Sequence, residues 1–369
     1  MKKEVKPMHN IETSVCSLGR NASLHCLTVN GRGATPGGGI LRRAAAASGA
    51  AIVQHFIFSD RARRARLPGP DAEGGDAPEV RIEHLPGEGV SMFAVQAIAA
   101  GGAKNIRPVK AGGMTIGLCY EDDCARYCRL GSVADADSNA ARPDQARKVF
   151  DTMKKALDRN GFDFTRTVRT WFYNDRITEW YEDFNRVRNG FFEETGVFAG
   201  TVPASTGIGA GNTRGAALVG NLFAIQPKNG LVKIRAVASP LQDSALEYKS
   251  SFSRAIELEY PSGRLLMISG TASIDKHGLT RHAGNASAQI ELTMEVAAAL
   301  LKSRGMGWEN ALRGIAYFKS TAGPGLFNEY CRKNHLAPRN IACAFTDMCR
   351  DDLLFEIELD AFAAGLSGA

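Results

Sequence analysis

A repeated segment constrains the fold more than any other feature of this sequence. Two stretches, one beginning at Gln145 and the other at Gln289, align without gaps at an offset of 144 residues. The pairs that match best are Gln145 with Gln289, Leu157 with Leu301, Gly161 with Gly305, Phe164 with Trp308, Arg169 with Arg313, and Tyr173 with Tyr317. In each copy, apolar residues at helical spacing lead to a glycine that ends the helix, and a β-rich segment follows. The repeat predicts two related α+β modules, each a mixed sheet with two helices packed on one face.

The length of the chain agrees with more than one module. A chain of 369 residues exceeds the size at which a single hydrophobic core stops growing. We predict an N-terminal domain over residues 1–225, a connection over 226–245, and a C-terminal domain over 246–369. Residues 1–110 match neither copy of the repeat.

The charge pattern argues against nucleic acid as a partner. The formal net charge is +6, and four arginines stand together in RARRAR at 61–66. Proline, glycine and alanine surround this run, and no aromatic residues are interleaved for base stacking, so we interpret it as a flexible surface loop. We also expect no membrane association, because the basic N-terminus is not followed by an apolar segment and no run is long enough to span a bilayer.

The eight cysteines indicate reduced thiols. They are scattered, and only Cys119, Cys124 and Cys128 cluster. No CxxC or HxxxH pattern completes a metal site, so we expect neither a metal nor another cofactor. Buried reduced thiols are typical of a cytoplasmic protein.

A carboxylate stands in the last predicted strand, CRDDLLFEIE at 349–358. The two-residue period of a strand places Phe355 and Ile357 on one face, and Glu356 and Glu358 on the other. Most strand glutamates lie on a solvated face. The alternative is a pocket in which Glu356 serves as a general acid or base.

Several arginines could complete such a pocket. Arg254 begins one predicted strand, Arg169 lies beside Tyr173, and Arg339 precedes the strand before Glu356. If these guanidinium groups converge, they would bind the carboxylates of an anionic substrate. The glycine-rich segment at 203–218 has no Gly-Lys-Ser/Thr, so we favour tight turns over a phosphate site. Cys349 has no neighbouring histidine, and we favour a packing or product-shaping role for it over a nucleophilic one.

At this point the motifs resemble a known superfamily. Residues 250–365, including LLMISGTASID and CRDDLLFEIELDA, are similar to the Rid (YjgF) superfamily, whose label "endoribonuclease L-PSP" finds no support in the charge pattern. RTWFY at 169–173, PASTGIG at 203–209 and FSRA at 252–255 further resemble the chorismatases. The resemblance implies two tandem Rid-like (chorismate-mutase-like) modules. It also implies a cofactor-independent hydrolase that converts chorismate to pyruvate and a cyclic acid.

The resemblance also implies roles for individual residues. Glu356 would be the acid that protonates the enolpyruvyl methylene, and Arg254 would bind a substrate carboxylate. Ser253 and Cys349 would occupy positions that vary between chorismatases with different products. Arg169 and Tyr173 would contribute to the substrate site through the RTWFY motif, although chorismatases have Asn where this chain has Phe172.

Two other functions stay open. Arg339 matches the arginine with which simpler Rid enamine/imine deaminases hold a 2-imino acid, so this chain could hydrolyse imines with nearly the same residues. A non-catalytic small-molecule binding protein is the third possibility. Rid modules usually form trimers with pockets between subunits, so a trimer-like homo-oligomer and a monomer are both compatible with two fused modules.

Overall fold

The computed structural model describes residues 10–32, 39–59, 77–84, 92–248, 250–337 and 340–365. These residues form three six-stranded mixed sheets and five α-helices, numbered below in chain order. The predicted α+β class is confirmed. Within the described residues, no helix is both long enough and apolar enough to cross a membrane. The RARRAR run lies outside the described residues.

Sheets II and III correspond to the two predicted modules. Sheet II has the strand order β10-β9-β12-β8-β7-β6. It comprises β6 (Lys104–Ala111), β7 (Met114–Glu121), β8 (Ala125–Val133), β9 (Thr167–Asn174), β10 (Ala204–Gly209) and β12 (Leu218–Pro227), with helices α2 (Arg142–Arg159) and α3 (Tyr181–Glu194). Sheet III has the order β13-β14-β15-β18-β16-β17. It comprises β13 (Lys233–Val237), β14 (Ala255–Tyr260), β15 (Gly263–Ala272), β16 (Ala311–Phe318), β17 (Ile341–Phe345) and β18 (Phe355–Ala364), with helices α4 (Ala286–Ser303) and α5 (Gly323–Lys333).

The structure reproduces the sequence repeat. Helices α2 and α4, and likewise strands β9 and β16, begin and end at the predicted offset. Gly161 and Gly305 follow the two helices with φ of 73° and 66°, the left-handed conformation that ends a helix at little cost only in glycine. In each module, the strand after the first helix pairs in parallel with the next strand, β10 or β17.

The segment that matched neither copy contains a further sheet. Sheet I has the order β1-β2-β5-β3-β4-β11. It comprises β1 (Glu12–Ser17), β2 (Ser23–Arg32), β3 (Ala50–Ser59), β4 (Glu79–Glu83), β5 (Met92–Gly101) and β11 (Gly211–Asn212), with helix α1 (Gly39–Ala47) between β2 and β3. Strand β3 pairs in parallel with β4 and antiparallel with β5, as β16 does with β17 and β18. The predicted domain 1–225 therefore holds two sheets, and its boundaries stay a prediction.

The three sheets share one core. Phe58 of β3, Tyr173 of β9 and Tyr317 of β16 occupy corresponding positions and meet. The Tyr173 and Tyr317 hydroxyls lie 3.4 Å apart, and the ring of Phe58 lies 6.2 Å and 6.3 Å from the rings of Tyr173 and Tyr317. Residues of all three sheets join this cluster, whereas the opposite faces pack on the helices. Pseudo-threefold packing thus buries one face of every sheet and creates junctions between neighbouring sheets.

Candidate active site

Glu356 lies on the inner face of sheet III. Strand β18 pairs with β15 on one side and β16 on the other. Phe355 and Ile357 pack with the helix-side cluster, so Glu356 and Glu358 point toward the neighbouring sheets. The face assignment made from the sequence is confirmed, and the solvated alternative is wrong because Glu356 is only 5% exposed.

A cleft between sheets II and III receives the Glu356 carboxyl group. The cleft encloses about 550 Å³, including its mouth, and residues from both modules line it. Its wall from sheet II and α3 includes Tyr181, Arg188, Ser205 and Gly207. Its wall from the C-terminal module includes Ser250, Phe252, Arg254, Gly270, Ala272, Ile274, Cys349, Arg350, Leu353 and Glu356. The glycine-rich segment therefore contributes strand β10 to the cleft, and the expected tight turn follows at 212–215, where Gly215 has a φ of 68°.

Glu356 has the properties of an acid that keeps its proton at neutral pH. Burial and the negative charge of Glu358 raise its pKa from 4.5 to about 8, and the charge of Arg169 opposes them only in part. Among the described residues, no side chain or backbone group makes a hydrogen bond to this carboxyl group. A Cβ atom at Gly270 would overlap Oε1 of Glu356, so the carboxyl group fits only because residue 270 has no side chain.

Glu358 has the opposite environment, two residues farther along the same face. Arg169 and Arg313 donate to its two oxygens over 3.0 Å and 2.6 Å. Trp171 and Thr206 add hydrogen bonds of 2.9 Å and 2.7 Å. Burial would raise the pKa of Glu358, but the two arginines and these hydrogen bonds lower it below its usual range. The two environments therefore favour a protonated carboxyl group at Glu356 and an ionised one at Glu358.

The structure places Arg169 and Tyr173 outside the wall of the cleft, and their substrate-binding roles stay a prediction. Arg169 is fully buried and is bound to Glu358 and Thr206, while Tyr173 lies at the centre where the three sheets meet. Neither residue lines the cleft. Their motif is therefore structural here, since a buried arginine must pair with an anion and Glu358 provides one.

Ser253 does not point its hydroxyl group into the cleft either. The hydroxyl donates to the carbonyl of Val202 over 2.7 Å, and the backbone N–H donates to the carbonyl of Pro203. These bonds connect the C-terminal module to the end of sheet II. The substrate-binding role of Ser253 stays a prediction, and Arg339 lies outside the described residues.

Two buried arginines, Arg254 and Arg188, supply positive charge to the cleft. Arg254, which the sequence analysis named, is 5% exposed, and its guanidinium donates twice to the carbonyl of Asp243 over 3.1 Å and 3.0 Å. Arg188 was missed. It lies on α3, is 2% exposed and stacks over Phe184 at 5.3 Å. The available signal was an arginine four residues after Phe184, on the apolar face of a helix, where a charge requires a partner.

Cys349 lies in the cleft as a neutral thiol. Burial and the neighbouring Glu356 raise the pKa of Cys349 to about 12. A thiol with this pKa is a poor nucleophile at neutral pH. The arrangement supports the expected shaping role and gives no support to covalent catalysis.

Two Streptomyces proteins are similar to this chain in sequence. No family model matches the chain. A chorismatase from Streptomyces hygroscopicus is 29% identical over 232 residues, covering 55% of this chain and 65% of that protein. A 3-hydroxybenzoate synthase from the same organism is 29% identical over 269 residues, covering 66% of this chain and 75% of that protein. The chain thus spans about two thirds of the length of the relatives that it matches.

Comparison with solved structures shows which known fold this chain adopts. A chorismatase crystal structure aligns with 91% of this chain and 98% of its own, with a TM-score of 0.63 and 20% identity. This protein has the chorismatase fold. The YjgF gene product from E. coli aligns with 34% of this chain and 97% of its own, with a TM-score of 0.29 and 12% identity. The resemblance to chorismatases found in the motifs is confirmed by both kinds of comparison.

Proposed function

We propose that this protein is a cofactor-independent hydrolase of chorismate that releases pyruvate and a cyclic acid. The observation that carries the proposal is Glu356, a buried and protonated carboxyl group that faces a cleft lined by two arginines. Its partner-free state among the described residues leaves the proton available to a bound molecule. Similarity to a chorismatase and a 3-hydroxybenzoate synthase supports chorismate as the substrate.

The geometry suits acid catalysis on an enol ether. Glu356 donates its proton to the terminal methylene carbon of the enolpyruvyl group, and the ether oxygen stabilises the resulting cation as an oxocarbenium ion. Water adds to the cationic carbon, and the hemiketal collapses to pyruvate and an alcohol. The proton that water loses restores Glu356. A carboxyl group with a pKa near neutrality is well matched to this task.

Arg188 and Arg254 would hold the carboxylates of the substrate. They project from different modules into one cleft, so a dianion would bridge them. Each is nearly excluded from water, which strengthens its attraction for an anion. Cys349 and Tyr181 would contact the ring of the substrate and exclude other shapes.

The cell compartment is part of the same proposal. All eight cysteines are free, and six of them are buried, as expected for a reducing cytoplasm. The expected partner is a small anionic carboxylic acid, with no role for nucleic acid or a membrane.

Pyruvate release from chorismate tests the function. Purified protein should produce pyruvate above the spontaneous rate, detected with lactate dehydrogenase, while chromatography identifies the cyclic product. Glu356→Gln should abolish turnover and still bind chorismate in calorimetry, because the amide keeps the shape but cannot donate a proton of suitable acidity. A wild-type protein that binds chorismate without releasing pyruvate at any pH would contradict the proposal and favour a binding protein. Faster ammonia release from enzymatically generated 2-imino acids would favour the deaminase alternative.

A further inference from the structure

A pair of thiols lies on sheet II, outside the Glu356 cleft. Cys119 of β7 and Cys128 of β8 are direct cross-strand partners in the antiparallel ladder. They are 3% and 0% exposed, and both belong to the core between sheet II and α2. Neither lines the cleft that holds Glu356, so the function proposed above makes no use of them.

Two arginines flank the pair on the same face of the sheet. Arg107 of β6 is the cross-strand partner of Cys119, and Arg126 precedes Cys128 by two residues. Arg126 is held in place by bonds of 2.9 Å to Gln226 and 3.0 Å to the carbonyl of Asn160. Arg107 is exposed at the edge. The sheet therefore places positive charge beside a thiol, the environment that stabilises a thiolate.

Cys119 also forms part of a second hollow. This surface depression encloses about 760 Å³, and its wall includes Cys119, Arg107, Arg126 and Phe162. Cys119 thus lies at the wall of a hollow that opens to solvent, whereas Cys128 is not part of that wall. The neighbouring Cys128 thiol, together with Arg107 and Arg126, lowers the pKa of Cys119, while the pKa of Cys128 is raised by the proximity of Cys119 and by burial.

We propose that Cys119 and Cys128 form a reversible oxidation site for small hydroperoxides. The Cys119 thiolate attacks the terminal peroxide oxygen, the O–O bond breaks, and the leaving alkoxide takes the proton of Cys128. Cys119 is then a sulfenic acid. The Cys128 thiolate attacks its sulfur, an S–S bond forms, and the hydroxide released takes up the proton that Cys119 gave to solvent when its thiolate formed. Two thiols and one hydroperoxide become a disulfide, an alcohol and water.

Two other thiols provide an internal control. Cys16 and Cys26, on the adjacent strands β1 and β2, are as deeply buried as the proposed pair. Burial raises the pKa of both, and neither lines the hollow beside Arg107. At a peroxide dose that oxidises the Cys119–Cys128 pair, they should remain reduced.

Peptide mapping of the oxidised wild-type protein tests the proposal without any substitution. After hydrogen peroxide and alkylation, cleavage at arginine isolates Cys128 in residues 127–129, and cleavage before Asp122 separates Cys119 from Cys124. The expected product is a cross-linked pair of peptides that has lost two hydrogens and is restored by dithiothreitol. Cross-linking at Cys124, or oxidation confined to Cys343 and Cys349, would overturn the proposal.

Variants then separate the roles of the two thiols. Cys128→Ser should leave a sulfenic acid on Cys119 that dimedone traps, whereas Cys119→Ser should leave Cys128 unlabelled. Arg107→Ala should slow the oxidation of Cys119 several-fold, because it removes a charge that favours the thiolate. Lys110→Ala removes one positive charge from the same strand and should leave the rate unchanged. Equal rates in Arg107→Ala and Lys110→Ala would contradict the role of Arg107.

Discussion

Two carboxyl groups separated by one residue have opposite protonation. Glu356 has no protein partner among the described residues and a raised pKa, while Glu358 is bound by two arginines and stays ionised. The negative charge of Glu358 is itself one cause of the raised pKa of Glu356. The sequence could place both residues on one face, but it could not show which one the arginines bind.

The first prediction concerns the pH dependence of turnover. The proposed reaction requires the protonated form of Glu356, so kcat/KM should be constant below a pH of about 8 and should fall about tenfold per unit above it. A pH–rate profile for pyruvate release measures this fall, which forms the alkaline limb of the profile. A rate that rises through the same pH range would show that the ionised carboxylate acts as a base, as a water-activating deaminase requires.

The pH dependence of the free energy of unfolding should report the protonation of Glu356 independently of turnover. The folded-state pKa of Glu356 is raised above 4.5, so the native state binds this proton more tightly than the unfolded chain does. The resulting stabilisation is complete below pH 4.5 and is lost as the pH rises through about 8. Glu356→Gln has no such proton, so its free energy of unfolding relative to wild type should increase by a few kcal/mol across this window, measured with urea.

The second prediction tests Glu358 as the positioning charge. Glu358→Gln should move the falling limb of the pH–rate profile to lower pH, because Glu356 loses a neighbouring anion and the charge of Arg169 is no longer neutralised. Breaking this buried cluster should also cost about 3–5 kcal/mol of unfolding free energy. Glu257→Gln is the matched control. Glu257 lies on β14, is as buried as Glu358, and accepts two hydrogen bonds of 2.8 Å from Arg304. It should destabilise the protein without moving the limb; an unmoved limb in Glu358→Gln would argue against the positioning role.

At the scale of elements, close approach of strands makes room for the carboxyl group. Strand β15 changes register against β18 between Ile268 and Thr271, and Gly270 stands in this irregularity beside Glu356. The N–H of Gly270 donates to Thr206 of β10 over 3.1 Å, which connects the two modules at the cleft. A side chain at residue 270 would occupy the space of the acid.

The third prediction follows from this packing. Gly270→Ala should reduce kcat by at least about tenfold, because the added methyl group displaces the Glu356 carboxyl group, and misplacement of a catalytic group by about 1 Å can cost more than this. Thermal unfolding should change little, since the backbone at this residue is not left-handed. Gly325→Ala in α5, where a Cβ meets nothing within 4 Å, is the control and should retain full activity. Normal activity in Gly270→Ala would show that Glu356 can relocate freely.

Elements differed in how far the sequence could predict them. Long amphipathic helices followed by glycine allowed α2 and α4 to be aligned and their strands to be placed. Sheet I escaped recognition because α1 has only nine residues and ends in four alanines, so it carries little periodic signal. The sequence analysis assigned Arg169 to the substrate site because it lies beside aromatic residues. Arginines beside aromatic residues occur both in ligand sites and in buried ion pairs. Only three-dimensional packing distinguishes the two.

At the scale of the whole molecule, three sheets of one chain surround a common centre. Phe58, Tyr173 and Tyr317 meet there, and the candidate site lies between two sheets of the same chain. Both walls of the cleft are residues of this chain. The pseudo-threefold packing therefore forms the junction between sheets II and III within one polypeptide.

The fourth prediction is a functional monomer. Sedimentation should give a single species near 39.6 kDa, and activity per molecule should be unchanged on dilution because the cleft is complete within the chain. Loss of specific activity on dilution, together with a larger species at high concentration, would show that a second copy contributes to the site.

The three central aromatic residues face different partners across their sheets. Phe58 pairs with Ala94, Tyr173 with Val219, and Tyr317 with Glu356. In an assembly of identical subunits, any substitution is copied to every junction at once. In a single chain the three junctions can differ. One junction keeps an ionisable residue, Glu356, whereas Ala94 and Val219 at the corresponding positions are apolar and serve only to pack the sheets together.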